Sequence, residues 1–216
     1  MKQNAKNERT KREFLRWLKN ARGRCNATVN AVEKALLLYQ DFTGNEDVGL
    51  FRPDKAIDFK KWLQKREFRG SVISPATYCA HLKNLMGFFE WLSWQIGYKT
   101  KIKRTSVDYL RVTDKEERMA SQRTPRNFPS LDYVVKMAGS IQAVTEIDLR
   151  DRALISFTLL SGMRDQAVVT LPLGCFDENK LLIDQNPRRG VATKFSKLIP
   201  TTIFRFDEVL LAHILE

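Results

Sequence analysis

The feature that most constrains the fold is the stretch SPATYCAHLKNLMGFFEWLSWQIG, from Ser74 to Gly97. A serine followed by a proline is a strong helix start, because the serine caps free N–H groups and proline fits the first helical position. Large apolar residues then recur at helical spacing, namely Tyr78, Leu82, Leu85, Met86, Phe89, Leu92 and Ile96. This pattern predicts a long helix, to about residue 97, with one buried face.

Three further helices are predicted before it. Residues 7–18 are amphipathic, a second apolar pattern runs to about Phe42 with Asn26 or Thr28 as its cap, and Pro53 opens a third helix. The first hundred residues therefore predict a compact four-helix unit. The basic face of the first helix is either solvated or turned towards phosphates; it carries Lys11, Arg12, Arg16 and Lys19.

From Lys99 onwards the composition changes, with many basic residues, few large apolar ones and Pro125. We expect a helical domain over 1–112, a basic linker over 113–128 and a second domain over 129–216. A basic linker of this kind lies along a DNA backbone or is a solvated tether.

The second domain begins with two predicted helices, 131–138 and 149–160. After Gly174 the pattern predicts strands at 181–183 and 191–199, with a third possible at 203–204, and then a helix over 206–215. The expected class is mainly α, with a small antiparallel β-hairpin.

The charge balance limits the partners. Lys and Arg together number 37 against 25 acidic residues, a net charge of +12. Such an excess predicts a polyanionic partner, either nucleic acid or an anionic membrane surface. No run of 18 apolar residues occurs, which favours nucleic acid.

The N-terminus is polar and basic, so no secretory signal is expected. Three widely separated cysteines without a C-x-x-C spacing predict free thiols in a reducing cytoplasm, where a DNA-binding protein would associate with the nucleoid. With only two histidines, a histidine-based metal site is not expected.

One charged residue stands out in LLSGMRDQAVVTL, where Arg164 follows a Ser-Gly-Met step in an apolar stretch. It either forms a structural ion pair or binds a phosphate, for which a planar guanidinium is well suited. The acidic candidates for an ion pair are Glu146, Asp151 and Asp165.

The order of these segments resembles the tyrosine recombinases, the phage-integrase superfamily. The stretch SPATYCAHLKNLMGFFEWL is similar to part of their helical, SAM-like core-binding domain. The stretch LRDRALISFTLLSGMRDQAVVTLPLGCFD is similar to the start of their α+β catalytic domain, and VATKFSKLIPT to the second strand of its hairpin. The resemblance covers essentially the whole chain.

The resemblance implies cutting and rejoining of double-stranded DNA through a phosphotyrosine, without metal or nucleotide cofactor, by a tetramer assembled on DNA. Arg164 matches the first catalytic arginine, which stabilises negative charge on the phosphate. Lys194 matches the hairpin lysine, a general acid for the leaving 5′ oxygen, with Lys197 as second choice. As an alternative, Lys194 is an ordinary surface lysine.

DNA contacts are expected from helix starts, helix-surface side chains and the basic segment after residue 99. Asn84 either reads an adenine edge or is merely solvated. The predicted DNA-binding residues are Asn26, Thr28, Lys34, Thr77, Lys83, Asn84, Lys101, Lys103, Arg104, Arg123 and Arg126.

Two departures from the family pattern bear on activity. The family has an acid three residues after the arginine, and this chain has Ala167. The last tyrosine, Tyr133, precedes Arg164 and does not match the nucleophile, and His213 does not match the family's His-x-x-Arg motif. We therefore expect the chain to correspond to the N-terminal two-thirds of such an enzyme and to be inactive alone.

The alternative function is a non-catalytic DNA-binding regulator or decoy derived from such a recombinase. A helical RNA-binding protein is disfavoured, because neither an RNP-type aromatic strand nor a GXXG loop is present.

Overall fold

The computed structural model describes residues 4–68, 70–122 and 127–216. The chain is mainly helical with a small three-stranded antiparallel sheet. It divides into two compact units, Met1–Thr124 and Pro125–Glu216, each with its own apolar core. The expected class, mainly α with a small antiparallel element, is confirmed at this level.

The first unit contains the four long helices that the sequence predicts, followed by two short ones. The predicted start of the long helix is confirmed, because the Ser74 hydroxyl accepts from the backbone N–H of Thr77 and Pro75 takes the first helical position. The elements are α1 (Ala5–Asn20), α2 (Asn26–Thr43), α3 (Pro53–Lys65), β1 (Glu67–Phe68), β2 (Ser71–Val72), α4 (Pro75–Leu92), α5 (Arg104–Val107) and α6 (Asp114–Ser121).

The core of this unit is built around the predicted face of α4. The ring of Phe89 stacks on Phe51 at 3.9 Å between centroids and meets Tyr39 edge-on at 5.2 Å. One member of the predicted stripe was wrong: Ile96 is fully exposed. The helix ends at Leu92, and Gly97 at φ +85° turns the chain away.

The expected linker over 113–128 starts with a helix of the first unit. In α6, Thr113 and Glu116 form a capping box, so each side chain satisfies a free backbone N–H of the other. The Tyr78 hydroxyl on α4 donates to the Glu116 carboxylate at 2.9 Å, which holds α6 against α4. The first unit therefore extends beyond residue 112, where the sequence predicted that it would end.

The second unit has two main helices, a short helix, the sheet and a final helix. Strand order is β3-β4-β5, and both pairs are antiparallel. The elements are α7 (Leu131–Ser140), α8 (Glu146–Ser161), α9 (Asp165–Val169), β3 (Phe176–Asp177), β4 (Leu182–Gln185), β5 (Ile199–Thr202) and α10 (Glu208–Leu215).

The predicted strand at 191–199 was wrong. Gln185 pairs with Ile199, so residues 186–198 form a loop between β4 and β5. Gly190, Phe195 and Ser196 all have positive φ, which a β-strand cannot accommodate. The expected third strand at 203–204 is not formed either, because the Phe204 N–H donates to Leu160 at the end of α8.

Candidate nucleic-acid interface

Helices α2 and α4 lie side by side and run in the same direction. Towards their N-termini, the charge of Lys34 acts on His81; towards their C-termini, Tyr39 meets Phe89 with ring centroids 5.2 Å apart. Because both pairs follow the same order along the chain, the two helices begin at the same end of the first unit. We name the exposed side of their N-terminal halves the duplex face; it comprises Asn26, Thr28, Lys34, Thr77, His81 and Asn84.

The duplex face favours negative charge. Every other helix of eight or more described residues has an acid in its first turn, whereas α2 and α4 have none. The positive end of each helix dipole is therefore left for an external anion. The first turn of α2 also keeps N–H groups without a side-chain cap, whereas in α4 Pro75 has no N–H and Ser74 accepts from that of Thr77. Within the N-terminal halves of the two helices, Glu33 is the one acidic residue.

Cys25, the N-cap of α2, reports on the same environment. Its thiol pKa is lowered by the Thr28 hydroxyl, 3.3 Å from the sulfur, and by neighbouring backbone N–H groups. A site that stabilises a thiolate also stabilises a phosphate oxygen. The cap was expected at Asn26 or Thr28, and the structure shifts it to Cys25.

Most of the residues predicted to contact DNA from these helices are brought together. Asn26, Thr28 and Thr77 are exposed in the first turns, Lys34 is exposed on the adjoining surface, and Asn84 is half-exposed two turns into α4. Two small residues of the same half of α4, Ala76 and Ala80, are exposed as well.

Sequence reasoning missed His81. Burial, and then the charge of Lys34, lower its pKa, so its ring stays neutral at pH values where a free histidine is partly protonated. The available signal was its position, one turn after Thr77 and three residues before Asn84.

Lys83 differs from Lys34 in having a partner. Its ammonium lies 2.7 Å from the Glu117 carboxylate of α6, and this hydrogen bond raises the pKa of Lys83. Both groups are about half exposed, so the pair is a solvated one, but it offsets the positive charge that Lys83 was expected to offer DNA.

The remaining predicted contacts are not brought to the duplex face. Arg104 lies over the ring of Trp94, just beyond the far end of α4, at 5.2 Å. A helix of 18 residues spans about 27 Å, so Lys101, Lys103 and Arg104 are separated from Thr77 by the length of α4. Arg123 and Arg126 lie outside the described residues.

In the second unit, Arg164 is exposed at the start of α9. Helix α8 ends at Gly162, which adopts φ +60°, and the Ser161 hydroxyl accepts from the N–H of Met163. The carbonyl of Arg164 accepts from Ala167 and Val168, while its side chain joins none of the ion pairs between described residues. The structural ion pair considered from the sequence is therefore not formed.

Ala167, at the position where the tyrosine recombinases have an acid, faces inwards. Ala167 is 2% exposed and lies in the apolar core of the second unit with Met163 and Leu160. A carboxylate here would be buried among apolar groups, at a high cost in free energy. No acid orients Arg164 from this position.

Lys194 lies in the loop between β4 and β5 and not, as expected, in a strand. It is exposed, with its ammonium 5.1 Å from the centre of the exposed Phe195 ring. Lys197 is exposed as well, and its carbonyl accepts from the Thr193 hydroxyl. The geometry gives no preference between these two lysines.

One hydrogen bond connects the two candidate catalytic elements. The N–H of Ala192, two residues before Lys194, donates to the Thr170 hydroxyl at 2.8 Å. Thr170 is the C-cap of α9, and Arg164 is its N-cap, six residues earlier and about 9 Å away. The loop is thus attached to the end of α9 opposite Arg164.

The described part of the chain contains no cluster of three or more histidine, cysteine or acidic side chains able to hold a metal ion. In that part, no helix combines the length and the apolar character required to cross a bilayer.

Comparison with known proteins gives no assignment: no protein-family model and no curated protein matches this chain.

Proposed function

We propose that this chain binds double-stranded DNA through the duplex face of its first unit. The observation that carries the proposal is the pair of parallel helices, α2 and α4, whose adjacent first turns contain no acid. Two helix N-termini at one end of a unit offer two anion sites, which suit successive phosphates of a duplex backbone.

Four side chains of the face have a role in this proposal. The hydroxyls of Thr28 and Thr77, which are hydrogen-bonded to Cys25 and Ser74 in the free chain, turn to donate to phosphate oxygens. The exposed ammonium of Lys34 neutralises a phosphate. Asn84, two turns into α4, offers a donor and an acceptor to the major-groove edge of adenine. The net charge of +12 attracts the duplex from a distance.

We further propose that the chain derives from a tyrosine recombinase. The first unit would be its SAM-like core-binding domain, and the second the start of its catalytic domain. Arg164 would hold a non-bridging phosphate oxygen, and Lys194 would protonate the leaving 5′ oxygen. The support is the exposed guanidinium, which pairs with no acid of the described residues, and the hydrogen bond that connects its helix to the lysine loop. Self-association on DNA belongs to the same proposal.

A second candidate, a DNA-binding regulator, is favoured by one observation. Ala167 occupies the place of the orienting acid and points into the core. Arg164 then lacks the carboxylate that would fix its direction, which lowers catalysis more than DNA binding.

The binding proposal is tested by measuring duplex affinity as salt is varied. Removing one lysine–phosphate interaction makes the log–log slope shallower by about 0.9, equivalent to about eightfold in affinity at 0.1 M salt. Lys34→Gln should show this change, and Lys61→Gln, an equal loss of charge on α3, should change the slope much less. Equal effects of the two variants, or a flat salt dependence of the unmodified chain, would contradict the proposal.

The two candidates are separated by the gene sequence beyond the codon for Glu216. An in-frame His-x-x-Arg followed by a tyrosine favours the recombinase. In that case Arg164→Ala should lower strand cleavage by orders of magnitude while weakening DNA binding only modestly. A stop codon with no such segment nearby favours the regulator.

A further inference from the structure

An open groove on the first unit is lined by three tryptophans and two arginines. It has a volume of about 470 Å³ and lies between the end of α1, the second half of α4 and the start of α5. We call it the Trp groove. Its principal residues are Trp17, Arg22, Glu90, Trp91, Trp94 and Arg104.

The aromatic part of the groove is held rigidly. Trp91 packs against Phe14 and Phe88 of the core, with ring centroids 5.1 and 6.3 Å away, and Trp17 lies 6.3 Å from Trp91. Trp94 differs, because 60% of it is exposed. This large exposed ring, of which Arg104 covers one side, lies beside a preformed aromatic wall and offers its remaining surface for stacking.

Each arginine lies over a tryptophan. The guanidinium of Arg22 is 5.3 Å from the ring centre of Trp17, and that of Arg104 is 5.2 Å from Trp94. Stacking restricts both guanidinium groups at the rim of the groove, where their N–H donors remain available to an anion. The groove thus combines planar apolar surfaces with two positioned positive charges.

We infer that the Trp groove binds an unpaired nucleotide of single-stranded nucleic acid. The base stacks on Trp94, and the flanking phosphates contact Arg22 and Arg104. Stacking aromatics beside arginines are the combination by which proteins hold single strands. A base paired within a duplex cannot present its face in this way, so this activity is separate from the proposed duplex binding.

Among the described residues, Arg22 and Arg104 outnumber the one acid that lines the groove, Glu90, and this positive balance favours a nucleotide with its phosphates. Glu90 joins none of the ion pairs between described residues. Its carboxylate can accept from the two adjacent donors on the Watson–Crick edge of guanine, whereas thymine offers only one. The groove should therefore prefer guanine.

The groove also continues the duplex face. Gly87 lines it, and this residue lies one turn after Asn84 on α4. When a duplex binds at the N-terminal half of α4, an unpaired nucleotide next to its end or at a nick would reach the groove. The inference does not depend on duplex binding, since a free oligonucleotide is sufficient to test it.

The experiment titrates the chain with the single-stranded pentanucleotides TTGTT and TTTTT and follows tryptophan fluorescence. Three of the four tryptophans line the groove, so binding should quench the signal. Trp94→Ala should weaken TTGTT binding by at least about fivefold. Tyr109→Ala removes an exposed aromatic outside the groove and should leave binding unchanged. Glu90→Gln should abolish the preference for TTGTT.

A second matched pair separates a local contact from general charge. Arg104→Gln should weaken binding clearly more than Arg52→Gln, which removes an exposed arginine outside the groove. Absence of quenching at millimolar oligonucleotide, or equal effects of Trp94→Ala and Tyr109→Ala, would overturn the inference. Quenching by an acidic aromatic peptide but not by oligonucleotide would assign the groove to a protein partner. Duplex affinity, measured in parallel, tests the proposed function independently.

Discussion

Asn7 is the residue whose replacement gives the most direct test of how the first unit is held together. It is 2% exposed and connects α1 to the segment that joins α2 and α3. Its side-chain oxygen accepts from the N–H of Val48 at 3.1 Å, and its amide nitrogen donates to the carbonyls of Asn45 and Glu46 at 3.3 and 2.7 Å. One side chain therefore satisfies three backbone groups.

The magnitude follows from what Asn7→Ala leaves behind. The Val48 N–H is buried and loses its partner, a penalty of about 1–3 kcal/mol. The two carbonyls lie in a more accessible segment, where water replaces part of the missing interaction, and together contribute about 1 kcal/mol. We expect the first unit to lose about 3 kcal/mol of its free energy of unfolding.

Urea unfolding followed by tryptophan fluorescence measures this loss, because all four tryptophans belong to the first unit. The midpoint should fall by about 1–2 M urea with little change in slope. The control is Asn20→Ala, an exposed asparagine at the end of α1, which should change stability by less than about 0.5 kcal/mol. A loss below about 1 kcal/mol for Asn7→Ala would refute the reasoning.

Three further outcomes are expected. Lys83→Gln should lower duplex affinity less than Lys34→Gln does, since Glu117 already offsets the charge of Lys83; a larger effect in the same binding assay would place Lys83 on a phosphate. Gly162→Ala should destabilise the second unit by about 1 kcal/mol through φ strain alone, whereas Gly139→Ala within α7 should stabilise it, as measured by hydrogen exchange of the backbone amides of α8. Burial and then the charge of Arg152 lower the pKa of His213, and these effects outweigh Glu216 and Asp207, which raise it. On acidification, His213 is therefore protonated in the unfolded chain before it is protonated in the folded one. Stability of the second unit is therefore complete above pH 6.5 and falls on acidification, and His213→Gln should reduce this fall in pH-dependent unfolding curves.

Local chemistry was sufficient for the long helices of both units, but not for the short helices α5, α6 and α9. Ser74 and Pro75 fix the start of α4 because capping and proline geometry depend only on neighbouring residues. The apolar spacing from Tyr78 to Leu92 likewise identifies the buried face before any partner is known. The sign of the net charge, and the class of partner it favours, also follow from composition alone.

The arrangement of residues at the candidate site could not be predicted from the sequence in the same way. The sequence identifies Lys34 and Thr77 as candidates, but only packing establishes that α2 and α4 begin at the same end of the unit. Lys83 and Arg104 carry the same kind of charge, yet one is paired with Glu117 and the other lies by the Trp groove. Spacing along the chain contains no information on such pairings.

Lys11 is the clearest example of tertiary control. The amphipathic pattern places it on the basic face of α1, but it is 7% exposed and donates to Glu8 at 2.9 Å and Gln40 at 3.2 Å. The segment 191–198 is a second example, since the sequence predicts a strand there and the β4–β5 register excludes it. Capping and periodicity are local properties, which the sequence alone determines. Burial of a charge and strand register depend on residues distant in the chain, so only the tertiary structure decides them.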